Sequence, residues 1–154
     1  MDMKKVLFVC VHNSGRSQMA EAFFNQLGGK KVIAFSAGTQ PSEETDPIVV
    51  YVMRQAGLDI SGQTPKKLTP EMLYSADRVI SMGCGIEEAC PAGLVPMEDW
   101  DIEDPAGKSV SKVKEIRNII ENKVKKLIQE LYLEAQLGLK GVENETIHSC
   151  PNCP

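Results

Sequence analysis

The chain has 154 residues, of which 42% are hydrophobic and 25% charged, a balance that suits one soluble globular domain with a core needing no disulfide or metal staples. Its formal net charge of -4 argues against a nucleic-acid partner, since binders of that class carry a basic face. The lysines near the start are not followed by a long apolar run, and no segment is long and apolar enough to span a bilayer, so the expectation is a cytoplasmic protein without a membrane partner.

Residues 5–10 form a short apolar run rich in β-branched and aromatic side chains, which predicts a buried parallel strand. A polar turn at 12–16 follows. Residues 17–27 have helical spacing, with Met19, Phe23 and Leu27 on one side and Gly28 and Gly29 as the stop. A second strand is expected at 31–37 and a loop at 38–45. Asp46 as cap and Pro47 at the first position open a helix that runs to about residue 56, where Gly57 ends it. Thr69, Pro70 and Glu71 open a short third helix in the same way. Strands are expected at 78–82 and 94–97. Residues 110–137 read as a long amphipathic helix with Val113, Ile116, Ile120, Val124, Leu127 and Leu131 along one face and Gly138 as its stop. Met19, Met53, Met72 and Met82 fall on apolar positions and read as core.

Alternating strands and helices imply a parallel sheet covered on both faces, an α/β three-layer sandwich around four strands. No repeat or linker interrupts residues 1–137, which are read as one catalytic domain. Residues 138–154 are mostly polar and are read as an unpacked tail.

The most informative segment is CVHNSGR, residues 10–16. It places a cysteine and an arginine around five residues, after a strand and before a helix. A helix start offers N–H groups that lack intrahelical partners, and the positive end of the macrodipole, which together attract an anion. Arg16 adds a planar fork suited to two oxygens of a tetrahedral oxyanion. The same positive field favours the thiolate of Cys10, the reactive form. Ser17 can donate a hydrogen bond to that sulfur, Asn13 can hold the loop through side-chain bonds, and Gly15 permits an unusual backbone angle or a close approach. Cys10 is therefore the candidate nucleophile, and Val11, His12, Asn13, Ser14, Gly15, Arg16 and Ser17 the candidate oxyanion cradle. The blander alternative is a buried cysteine at a strand end beside a solvated arginine, and the strand–loop–helix context weighs against it. His12 is read as loop structure rather than as an acid or base, and Trp100 as packing for the nearby loop.

The segment VLFVCVHNSGRSQMAEA, residues 6–22, closely resembles the opening of arsenate reductases built on the low-molecular-weight tyrosine phosphatase fold. The resemblance continues through SAG at 36–38, DIS at 59–61, the stretch from Cys84 to Pro91 and DPAG at 104–107, so it spans about residues 4–130 and leaves out the tail. It implies the fold of those phosphatases and the reduction of arsenate to arsenite. It also implies that Asp104, an aspartate followed by proline, protonates the leaving oxygen; Asp99 and Asp101 stand beside it as alternatives. By the same resemblance, Cys10 attacks arsenate, Cys84 attacks Cys10 to release arsenite, and Cys90 attacks Cys84. The resulting disulfide goes to an external dithiol such as thioredoxin. No bound cofactor is implied, and the chain is expected to act as a monomer. Arg16 completes the catalytic set of Cys10, Cys84, Cys90 and Asp104.

This sequence departs from the pattern in three places. Five residues separate Cys84 from Cys90, where many members have six. Gly15 replaces a cysteine found in many relatives. Asn13, Glu21 and Ser36 match a potassium site of some members, but the segment at 64–66 reads Thr-Pro-Lys where they have an aspartate, so no potassium site is expected. In the tail, His148, Cys150 and Cys153 offer three ligands suited to zinc, or thiols suited to a redox relay or to trivalent arsenic, or an incidental pair. Two other readings compete: a low-molecular-weight protein tyrosine phosphatase, which needs only Cys10, Arg16 and Asp104, and a silent arsenite- or metal-binding protein. Against the phosphatase, Gln18 stands where proline is usual there, and Ala106 and Gly107 follow Asp104-Pro105 in place of tyrosines.

Overall fold

The computed structural model describes residues 3–83 and 97–144, with side chains to residue 137. Its elements run β1 (Lys4–Cys10), α1 (Arg16–Leu27), β2 (Val32–Gly38), α2 (Pro47–Gln55), α3 (Pro70–Ser75), β3 (Arg78–Ser81), β4 (Met97–Asp99) and α4 (Val110–Asn144). The four strands form one parallel sheet in the order β2-β1-β3-β4. The three-layer α/β sandwich read from the sequence is thus the observed architecture.

β1 is central, and its alternating side chains divide the core. Val6, Phe8 and Cys10 face one side, where α1, α2 and α4 pack with Phe24, Met53, Ile116 and Ile120. Leu7 and Val9 face the other, against Leu73 of α3 and Val79. All the residues along the α4 stripe named above are buried, as its periodicity requires. Helix starts follow local chemistry: Asp46 Oδ1 accepts the Ile48 N–H at 2.9 Å, and Thr69 Oγ1 accepts the Met72 N–H at 3.2 Å.

Three sequence expectations are corrected. Leu27 is exposed rather than inward; the buried face of α1 is Met19, Ala20, Phe23 and Phe24, because the helix turns enough in its last turn to carry Leu27 to solvent. The fourth strand is described at Met97–Asp99, so it runs two residues past the expected end at 97; residues 94–96 lie outside the described residues. α4 continues through Gly138 to Asn144, since one glycine costs a helix only about 1 kcal/mol relative to alanine and does not end it alone. Trp100 reaches further than the loop packing read for it: it is buried in the core with Ile102 and against Phe8, with ring centroids 5.6 Å apart.

Phe8 joins α1 to the far end of the sheet, touching both Phe24 and Trp100. Phe8→Ala should cost about 3–5 kcal/mol by urea unfolding, whereas Leu133→Ala, on an exposed face of α4, should stay within about 0.5 kcal/mol. Equal costs would mean that the core is not organised around β1.

Candidate active site

β1 ends at Cys10 and α1 begins at Arg16, so the connecting loop sits at the carboxyl end of the central strand. The chain leaves β1 toward β2 on one side, while β3 lies on the other. That reversal of direction opens a crevice at the strand end, where open α/β sheets hold their ligands.

The loop is held from outside by the segment 39–46. Four of its carbonyls accept amides from that segment: Cys10 from Thr39 at 3.2 Å, Val11 from Gln40 at 2.8 Å, His12 from Ser42 at 3.0 Å and Ser14 from Asp46 at 2.9 Å. Carbonyl oxygens would repel an anion, and these are committed elsewhere. The start of α1 has Gly15 as its cap, with no side-chain cap hydrogen bond, so its first amides are not consumed by a capping side chain. Asn13 takes the left-handed conformation, φ 52°, which asparagine tolerates better than most residues. Gly15 carries the unusual backbone expected of it, φ -142° and ψ -88°, beside the left-handed Asn13. It also serves the other expectation, close approach: a Cβ there would lie 2.9 Å from Pro105 Cγ.

Cys10 is buried, and its sulfur lies 2.9 Å from Ser17 Oγ and 3.2 Å from the Asn13 amide nitrogen, which donates to it. Asn13 Nδ2 donates to Ser17 Oγ at 2.7 Å and to Ser36 Oγ at 3.0 Å, and the Ser36 hydroxyl donates to the Glu21 carboxylate. Because Ser17 Oγ accepts from Asn13, its own hydrogen is free to point at sulfur. Gln18 Nε2 donates to the Asn13 carbonyl at 3.1 Å, and the Lys66 amide donates to Asn13 Oδ1 at 2.8 Å. Both lock the residue that carries the strained angle.

Arg16 is buried, and its Nη1 donates to the carbonyls of Met82 at 2.7 Å and Ile102 at 3.2 Å. One arm of the fork is thus spent on orienting the side chain. Nη2 lies 3.8 Å from Asp104 Oδ2. The other Asp104 oxygen accepts the Ala106 amide at 3.0 Å, so the residue closes its turn and faces Arg16 at once. Of the three carboxylates considered from the sequence, Asp104 is the one on the pocket wall. Asp99 instead accepts from Ser81 Oγ at 2.6 Å and from the Gly83 amide at 2.9 Å.

The pocket is open to solvent and walled by Cys10, Arg16, Asp104 and Pro105, with His12, Ser14 and Gly15 along the loop. His12 Nδ1 lies 3.0 Å from the Gln40 carbonyl oxygen, in the loop-holding role read for it. Asn13 and Ser17 brace the loop from behind through the bonds above, and Val11 is tied in by its carbonyl. Asp46 also lines it, which sequence reading missed, because its capping role gave no sign that the segment 39–46 folds over the anion loop. Cys84, Cys90, His148, Cys150 and Cys153 lie outside the described residues.

A buried thiol at the foot of an amide-lined loop, with a guanidinium and a carboxyl group above it, is the arrangement of a cysteine-dependent enzyme acting on tetrahedral oxyanions. Residues 5–137 match the low molecular weight phosphotyrosine protein phosphatases, and the chain belongs to that family, standing within it among the arsenate reductases. It is 39% identical over 133 residues to the glutaredoxin arsenate reductase of Synechocystis, covering 84% of this chain and 99% of the relative. Its fold is similar to that of a thioredoxin-dependent arsenate reductase of Corynebacterium glutamicum, with a TM-score of 0.75 at 36% identity, covering 86% of this chain and 64% of that one. It is also similar to a low molecular weight protein tyrosine phosphatase from T. tengcongensis, with a TM-score of 0.76 at 30% identity, covering 82% of this chain and 99% of that one.

Removing the Ser17 hydroxyl should leave the fold intact and make Cys10 less reactive. Ser17→Ala is expected to slow alkylation of Cys10 by iodoacetamide at pH 7 about tenfold, the weight of one hydrogen bond to a charged group. Mass spectrometry of the Cys10 peptide reads the rate. An unchanged rate would mean that the hydroxyl does not stabilise the thiolate.

Proposed function

We propose that the chain reduces arsenate to arsenite, with Cys10 as nucleophile and an external thiol as the source of electrons. The observation that carries this reading is the placement of the Cys10 sulfur, between the Ser17 hydroxyl and the Asn13 amide at the foot of the anion loop. Those donors suit a thiolate, and the loop above it suits a four-oxygen anion.

The first step forms a bond from Cys10 sulfur to arsenic and breaks the bond from arsenic to one of its hydroxyl groups, which leaves as water on taking one proton from Asp104. Arg16 steadies the charge on the remaining oxygens. Cys84 thiolate then attacks Cys10 sulfur. The electron pair of the sulfur–arsenic bond passes to arsenic, which falls from the +5 to the +3 state and departs as arsenite, leaving a Cys10–Cys84 disulfide. Cys90 attacks Cys84, frees Cys10, and leaves a Cys84–Cys90 disulfide for the external dithiol. The parts given to Cys84 and Cys90 rest on their spacing and on the family resemblance. Thioredoxin is the reductant proposed here; one relative is named for glutaredoxin and another for thioredoxin. We assign the chain to the cytoplasm, as a monomer whose residues 1–137 form the catalytic domain. Among the described residues no helix is long and apolar enough to cross a membrane.

A phosphatase reading draws support from the same Cys10, Arg16 and Asp104 and from the similarity to the T. tengcongensis enzyme. Against it, the described wall of the pocket carries no aromatic side chain to hold an aryl ester. A small inorganic oxyanion fits such a wall better.

The deciding measurement couples the protein to thioredoxin, thioredoxin reductase and NADPH, and follows NADPH loss on adding arsenate. Turnover should be sustained in the parent, absent in Cys84→Ser, and limited to one equivalent in Cys90→Ser. Asp104→Asn should lower kcat about 10²- to 10⁴-fold. Sustained turnover by Cys90→Ser with thioredoxin alone would sink the relay. Silence with arsenate together with hydrolysis of p-nitrophenyl phosphate would establish the phosphatase instead.

A further inference from the structure

Asp46 lines the anion pocket, yet no step of the proposed reaction uses it. Its backbone amide is bonded to the Ser14 carbonyl at 2.9 Å, which seats it against the anion loop. Its Oδ1 accepts the Ile48 amide at 2.9 Å as the cap of α2. A carboxylate suits that place, because a helix start is positive, and an aspartate side chain ordinarily carries its charge at neutral pH.

The ionisable groups around the pocket are uneven. Two carboxyl groups, Asp46 and Asp104, and the Cys10 thiol stand against the one guanidinium of Arg16, with His12 at the rim. Arg16 Nη1 is already donated to two carbonyls. Asp104 faces the Arg16 guanidinium across 3.8 Å, and Asp46 is the second carboxylate on the pocket wall.

We propose that Asp46 is a specificity-determining residue whose negative charge weakens the binding of doubly charged oxyanions relative to singly charged ones. The inference rests on reading the pocket as an oxyanion site. Coulomb energy is proportional to the ligand's charge, so removing Asp46's charge should help a dianion by the square of the factor by which it helps a monoanion. The four amides on the loop carbonyls are then not the sole determinant of affinity: the side chain of Asp46, whose amide is one of the four, sets how much charge the pocket accepts.

Asparagine and serine cap helices about as well as aspartate, so Asp46→Asn and Asp46→Ser remove the charge and keep the start of α2. The probes are sulfate and perchlorate, tetrahedral anions of fixed charge -2 and -1, at pH 8 and low salt. Each Kd is read from the protection of Cys10 against iodoacetamide, by mass spectrometry of its peptide in the full chain, which needs no turnover. Both variants should tighten sulfate about tenfold and perchlorate about threefold, and both gains should shrink in 1 M sodium chloride. No gain, or equal gains for the two anions, would overturn the role of Asp46 while leaving the pocket intact. No protection by either anion in parent or variants would overturn the oxyanion reading and the inference with it.

Discussion

The site depends on hydrogen bonds that never touch the substrate. Four carbonyls of the anion loop, from Cys10 to Ser14, are taken by amides of the segment 39–46. A loop of this length could collapse with its oxygens inward, and it would then repel an oxyanion. Tying the oxygens to a neighbouring segment removes that option and leaves the start of α1 to face the pocket. The same contact constrains Gly38, where a Cβ would lie 2.6 Å from the Val11 carbonyl oxygen. Only glycine lets β2 end so close beside the loop.

Behind the loop runs a buried polar chain from Glu21 through Ser36, Asn13 and Ser17 to the Cys10 sulfur. Asn13 and Ser17 are completely buried. Buried polar groups are costly unless partnered, and here each supplies the partner of the next. The chain therefore rigidifies the loop and aims a hydroxyl at sulfur through the same bonds. Asn13 is its pivot: its backbone is left-handed, its amide donates to sulfur, and its side chain both donates and accepts.

The sheet decides where this assembly stands. Because β1 is central and pairs with both β2 and β3, its last residue lies at the point where the chain's direction of travel reverses. The two-residue period of the strand sends Cys10 to the same face as Phe8, toward α1 and α4. A slip of one residue would bury the thiol beneath α3. The packing of Phe8 against Phe24 and Trp100 thus contributes to catalysis indirectly, by holding that register.

Local signals carried most of the secondary structure and the heart of the site. The strand, loop and helix around Cys10 could be read because the loop's chemistry depends on neighbours within seven residues. The caps at Asp46 and Thr69, and the stripe of α4, were legible for the same reason. Features set by distant neighbours were not. Trp100 finds its place only against Phe8, the edge strand β4 is positioned by β3, and Asp46 reaches the pocket only once the segment 39–46 has folded across the loop. The amino-acid order alone determined which residues could bind and attack an oxyanion, since that is chemistry along the chain. Tertiary structure alone decided which carboxylates meet the arginine and which carbonyls are turned away, since those partners are brought together across dozens of residues by the packing of the sheet.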